Sequence, residues 1–223
     1  MKKFNKILVT SMWFAILAIS TVNVFASASD TIKIEYKSLY DYQTPETIDL
    51  IKITEFLGVG YLKAIIRGNI KGKKFAYTWH KIKDGKDTIL SADTSYLPMW
   101  SDTLTITFKS LPTDANETKI NCDFRRWRST IYYTIENETN RGHILMETAL
   151  DEHIHIKNDS VDYYLTTTDV FPIMAYTKGI PVGEYGMNYC GLRDSGVHPK
   201  LWFEKFKIKN YIYLEIKFLA EGN

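Results

Sequence analysis

The 223-residue chain carries 28 Lys and Arg against 26 Asp and Glu, a formal net charge of +2, with 45 % hydrophobic and 24 % charged residues. That composition belongs to a folded domain and excludes a disordered or collagen-like polymer, and two cysteines exclude a disulfide-dense scaffold or a four-cysteine zinc site. Aromatic residues are the outlier at 14 %, with 15 Tyr, 11 Phe and 5 Trp.

The first predicted element is an export signal. Lys2, Lys3 and Lys6 form a positive start, Ile7 to Phe25 carries no charge, and Ala26-Ser27-Ala28 places small residues where a signal peptidase reads. Residues 1–28 are therefore read as a signal peptide and 29–223 as one secreted domain. The alternative is an uncleaved anchor, since the uncharged run approaches spanning length; Thr10, Ser11, Ser20, Thr21 and Asn23 dilute it and favour cleavage. No second run of that length follows, so no stable membrane span is expected after cleavage.

Removing residues 1–28 takes away three lysines and no acid. The remaining 195 residues hold 25 basic and 26 acidic side chains, a net charge of −1. Nucleic-acid binding driven by net charge is thereby excluded. In an oxidising compartment Cys122 and Cys190 are expected to form one disulfide, contributing about 4 kcal/mol in the chain-entropy model.

Along the mature chain the dominant period is two. Thr31–Tyr36, Leu104–Phe108, Ile120–Phe124, Ser129–Ile135, His143–Thr148, His153–Ile156, Tyr163–Thr168 and Tyr211–Phe218 read as strands with one wetted face. In the last of these, Ile212, Leu214, Ile216 and Phe218 point inward, and Tyr211, Tyr213, Glu215 and Lys217 outward. Gly68 to Lys73 predicts a hairpin joining Tyr61–Ile66 to Lys74–Trp79. Asp84-Gly85 predicts a type I′ turn, in which both central residues take positive φ. Pro45 to Leu57 carries helix punctuation in Thr44, Pro45 and Gly58, but its β-branched content in Ile48, Ile51, Ile53 and Thr54 favours a strand. Thr177 to Lys200 reads as a long loop. Strand spacing near ten residues gives an all-β fold, a single-domain antiparallel β-sandwich or jelly roll.

Several clusters carry chemistry. His153 and His155 share one strand face, a spacing at which two imidazoles can reach one zinc or copper ion, with Asp151, His143 or His198 as a third ligand; a solvated strand face is the alternative. Arg125, Arg126, Trp127 and Arg128 combine guanidinium groups with an indole and suit an anionic ligand, unless they pair with Asp123, Glu136 or Glu138. Phe75, Tyr77 and Trp79 alternate on one face; Tyr77 and Trp79 are candidates for stacking on sugar rings, against a structural role in cross-strand packing. Glu147, Asp151 and Glu152 are candidates for the paired carboxylates of a glycosidase. Cys190 to Gly196 resembles the nucleophile loop of chymotrypsin-type proteases only in Asp194-Ser195-Gly196; Arg193 and Val197 replace the flanking glycines, so it reads as a turn.

These features predict a secreted, non-enzymatic binding or interaction protein of the extracellular or envelope space, its partner a glycan or another protein, without a cofactor. A glycan-acting or metal-dependent enzyme and an exported membrane-active toxin are the alternatives.

Overall fold

The computed structural model describes residues 31–42, 44–124, 128–136, 139, 141–148, 154–157, 160–167, 169–183 and 186–219. The expectations for residues 1–28 and for Arg125, Arg126, Trp127 and His153 lie outside these. The described chain is all-β and antiparallel. Its strands are β1 (Thr31–Ser38), β2 (Gly60–Gly68), β3 (Lys74–Lys83), β4 (Lys86–Thr94), β5 (Thr103–Pro112), β6 (Glu117–Asp123), β7 (Arg128–Thr134), β8 (Ile144–Glu147), β9 (Ile154–Lys157), β10 (Ser160–Thr166), β11 (Val170–Thr177), β12 (Ile180–Val182), β13 (Gly186–Asn188) and β14 (Asn210–Leu219). Three helices accompany them: α1 (Pro45–Phe56), α2 (Tyr189–Arg193) and α3 (Trp202–Phe206).

Seven strands form one sheet in the order β7-β6-β5-β2-β1-β10-β9, five form a second in the order β4-β3-β14-β11-β8, and β12 and β13 pair alone. Alternate residues of both large sheets meet in one apolar cluster. Ile32, Ile34, Ala64, Ile66, Ile106, Phe108 and Ile120 come from the first sheet, and Phe75, Trp79, Met174, Leu214, Ile216 and Phe218 from the second. The period-two pattern is what permits this, because each strand then offers a continuous apolar stripe.

The Asp84-Gly85 turn forms as its sequence demands, with φ of 47° and 82° joining β3 to β4. The Gly68–Lys73 turn does not close a hairpin. β2 pairs with β1 and β5, whereas β3 pairs with β14 and β4. The connection crosses between sheets instead, plugged by fully buried Ile70 and tied by the Gly72 N–H to the Met99 carbonyl at 2.7 Å. Six residues are too many for a two-residue turn, and burial of Ile70 is better served by crossing.

Residues 45–56 are a helix, not a strand. β1 and β2 pair directly with each other, and their outer edges are taken by β10 and β5. The segment joining β1 to β2 therefore has no free edge to pair with. Thr44 N–H donates to Thr47 Oγ1 at 2.8 Å, Pro45 opens the first turn, and Gly58 at φ 66° ends the helix. Among its described side chains only Ile51 is buried; Leu50, Ile53 and Phe56, and Leu57 just beyond them, face water.

The expected Cys122–Cys190 disulfide is absent, and both thiols are free. Cys122 points from β6 into the core, where burial raises its thiol well above the ordinary value. Cys190 is exposed on α2. The alternation that buries Ile120, Cys122 and Phe124 together places Cys122 among apolar side chains rather than toward the surface.

Tyr211 and Tyr213 are also buried, contrary to their expected outward, wetted position. The outer face of the five-stranded sheet is covered by Leu192, Trp202 and Ile208, which pack on Ile82, Met146, Ala175, Tyr211 and Tyr213. The predicted loop at 177–200 contains β12, β13, α2 and a 3-10 turn at Pro199–Leu201, and it begins this covering layer. Trp202 Nε1 donates to the Val197 carbonyl at 2.8 Å and Tyr211 Oη to the Pro199 carbonyl at 2.7 Å. Buried polar tips thus find partners, and tyrosine serves an interior as well as a wet surface.

Candidate functional site

A cavity of about 410 Å³ opens where the end of β1, the 3-10 turn at Leu39–Tyr42, β8 and α2 converge. Leu62, Leu145 and Met146 give it apolar lining, and Lys37, Asp41, Glu147 and Arg193 bring charges of both signs. Tyr36 and Tyr189 add two rings, and Cys190 also lines it.

The polar groups are held by the fold. Tyr36 Oη donates to the Ile173 carbonyl at 2.9 Å, and Tyr189 Oη donates to the Gly142 carbonyl. Asn188 caps α2 through its side-chain oxygen, which accepts the Gly191 N–H at 2.7 Å. Arg193 therefore leaves the last turn of a capped helix. Its Nε lies 2.6 Å from Asp194 Oδ1 and 3.4 Å from Glu147 Oε1. Burial raises the Glu147 carboxyl above its ordinary value, although Arg193 opposes the shift and Asp194 and Asp41 reinforce it. Asp41 moves the other way, pulled down chiefly by the Ser38 backbone N–H and by the Ser38 hydroxyl at 2.9 Å. The cleft thus holds one carboxyl that protonates more readily and one that stays ionised.

A second cluster lies on the outer face of the five-stranded sheet. Glu215 stands between His80 and His198, with Oε2 3.3 Å from His80 Nε2 and Oε1 3.2 Å from His198 Nε2. Asp87 holds His80 Nδ1 at 3.0 Å. The His80 ring stacks on Tyr213 with centroids 4.6 Å apart, and His198 meets the same ring edge-on. Burial pushes Glu215 up, but the two imidazoles pull it further down, to about 2. Burial lowers His80, and Glu215 and Asp87 more than reverse this, leaving it raised.

The cluster is a network of imidazole and carboxylate groups centred on Glu215. His198 Nδ1 accepts the Lys200 N–H at 3.2 Å, so the proton sits on Nε2 facing Glu215. Among the described residues no group of three or more His, Cys, Asp or Glu is arranged to hold a metal ion. His155 lies on β9 opposite Asp162, in the seven-stranded sheet. Of its possible third ligands, His198 contacts Glu215, and His143 stacks on Tyr176 with Nε2 3.3 Å from the Asn210 carbonyl.

The other sequence candidates fall elsewhere. Trp79 is fully buried, its indole N–H donating to Ser129 Oγ at 3.2 Å, and Tyr77 stacks on Phe124 in the same core. Neither presents a ring to a ligand; both serve cross-sheet packing. Arg128 is exposed on β7 and pairs with Asp123 at 3.2 Å. Glu136, a possible partner of the arginine cluster, pairs with Lys81 and Lys83. Of the predicted carboxylates Glu147 lines the cleft, while Asp151 and Glu152 lie outside the described residues; Tyr36, Asp41 and Tyr189 were not signalled by any local motif.

No described helix is long and apolar enough to cross a membrane. No protein-family model, curated protein or solved structure matches the chain.

Proposed function

We propose that the chain is a secreted β-sandwich binding module, exported by residues 1–28, that holds a glycan unit in the cleft beside Arg193. The observation that carries this reading is the cleft's composition. Donors and acceptors of both charges stand around an apolar floor with two tyrosine rings. A sugar ring needs that combination, because each hydroxyl both donates and accepts while the ring's C–H face seeks an apolar surface. Pre-organisation favours binding too, since Tyr36, Tyr189 and Arg193 are already fixed by hydrogen bonds and lose little freedom on contact.

Affinity electrophoresis of the mature chain through gels containing soluble cell-wall polysaccharides tests the reading. Retardation in at least one gel, weakened by Arg193→Ala, supports it. Mobility unaffected by every polysaccharide rejects it.

One observation favours a second reading, a glycan-cleaving enzyme. Glu147 and Asp41 line the same cleft with carboxyls displaced in opposite directions, the condition under which one acts as acid and the other as base or nucleophile. Release of reducing ends from a retarded polysaccharide, abolished by Glu147→Gln, supports this reading; binding without release supports the module.

A further inference from the structure

We propose that a second recess, between the β12–β13 hairpin and the connection from α3 to β14, is an anion site for a sulfate or phosphate ester carried on a glycan. The recess has a volume of about 290 Å³ and shares no lining residue with the Arg193 cleft. Lys178, Lys207 and Lys209 line it, and among the described residues no carboxylate does. Lys207 and Lys209 have no carboxylate partner among the described residues either. Lys207 and Lys209 bring two positive charges to one recess, and an oxyanion placed there offsets their repulsion.

Local structure aims these charges. Ile208 is buried in the layer that covers the five-stranded sheet, so its neighbours Lys207 and Lys209 are turned outward. The Lys209 carbonyl accepts the Asp84 N–H at 2.9 Å, which fixes the backbone beneath both side chains. Lys207 caps α3 at φ 60° and ψ 25°, a left-handed position where glycine is the unstrained choice. A lysine there works against stability. Its ring contact with Phe203, at 5.9 Å, lies at the outer limit of a cation–π contact and offsets only part of that cost. A charge required at that point does account for it.

The ligand follows from the lining. Ammonium groups are point-charge donors that suit a tetrahedral oxyanion, without the planar fork that selects a carboxylate. Pro181, Met187 and Ile208 supply apolar surface beside the lysines for the body that bears the ester. The volume is at the lower bound for ligand pockets and takes one ring-sized unit. A recess of this kind admits a single ester group, whereas a bilayer surface calls for a protruding basic face.

The test uses the mature chain and fluorescently labelled oligosaccharides of equal length, sulfated, phosphorylated or unmodified, read by fluorescence polarisation at two salt concentrations. Either ester is expected to bind more tightly than the unmodified sugar, which has the Arg193 cleft alone, and to lose that advantage at the higher salt. Competition by millimolar inorganic sulfate or phosphate assigns recognition to the anion itself. Lys207→Gly is expected to lower ester affinity about 2- to 5-fold, the worth of one exposed charge pair, while Tm stays the same or rises by up to about 2–4 °C as the left-handed strain is relieved. Lys209→Gln, which touches no strained backbone, gives a similar loss. Wild-type affinity in both variants, binding of the unmodified sugar as tight as that of the esters, or binding confined to anionic phosphatidylglycerol vesicles overturns the proposal.

Discussion

Replacing Glu215 by Gln keeps the size of the side chain and removes its charge. In the folded chain the carboxyl titrates at about 2 rather than 4.5. Each unit corresponds to about 1.4 kcal/mol, so the ionised group contributes about 3 kcal/mol to stability. The side chain is 16 % exposed and its imidazole partners 13 % and 19 %, so solvent screening leaves most of that in place. Because the folded value is depressed, the contribution is complete above pH 4.5 and is lost as the pH falls from there toward 2. His80 has the opposite sign. Its folded value is raised, so its contribution is complete below 6.5 and is lost as the pH rises through the raised value. The wild-type chain should therefore be most stable between pH 4.5 and 6.5. Glu215→Gln should lower stability there by about 3 kcal/mol, or Tm by about 6–12 °C for a domain of this length, and the two curves should converge toward pH 2. Urea unfolding followed by tryptophan fluorescence from pH 2 to 8 measures both arms. Parallel curves, with a deficit independent of pH, would refute the network.

Cys190 should react with a thiol reagent in the native chain and Cys122 only after unfolding, and reduction should leave the unfolding midpoint unchanged; protection of both thiols until a reductant is added would restore the disulfide. Trp79→Ala should cost about 3–5 kcal/mol by emptying a fully buried site between the sheets, measured by urea denaturation. Gly85→Ala should cost more than about 1 kcal/mol, seen as a lowered Tm, because φ is 82° and a Cβ would stand 2.5 Å from the Phe203 ring.

What the sequence showed and what it hid follow from the range of each signal. Alternation in Leu104–Phe108 and the Asp84-Gly85 turn are local, so the strands and that turn were legible. Sheet order is not local. Nothing within Tyr61–Trp79 says that β2 and β3 belong to different sheets; that depends on β1, β5 and β14 competing for their edges. The helix at 45–56 was misread because β propensity was counted without asking whether an edge was free. Tyr211 and Tyr213 were read as wet because they alternate with Ile212, Leu214 and Ile216, and a second covering layer lies outside any strand's own pattern. Glu215, His80 and His198 are widely separated along the chain. The one available signal was Glu215 itself, an acid flanked by Leu214 and Ile216 in a largely apolar strand.

The segment from Lys178 to Asn210 ties these findings together. Its Leu192, Trp202 and Ile208 cover the outer sheet face, and its His198 Nε2 lies 3.2 Å from Glu215 Oε1. The same segment carries Tyr189 and Arg193 into the large cleft and Lys178, Lys207 and Lys209 into the small recess. A sheet face covered only for stability calls for apolar contact and sealed helix ends. This layer instead leaves Lys207 in a strained conformation, Cys190 exposed and three lysines around one cavity. Such departures from local stability gather where a surface is shaped for something other than folding. The two large sheets and their shared core supply the rigidity, and the covering layer carries residues of both proposed sites. Loss of the Glu215 network should therefore loosen both cavities from one side, weakening ligands at each before the core unfolds.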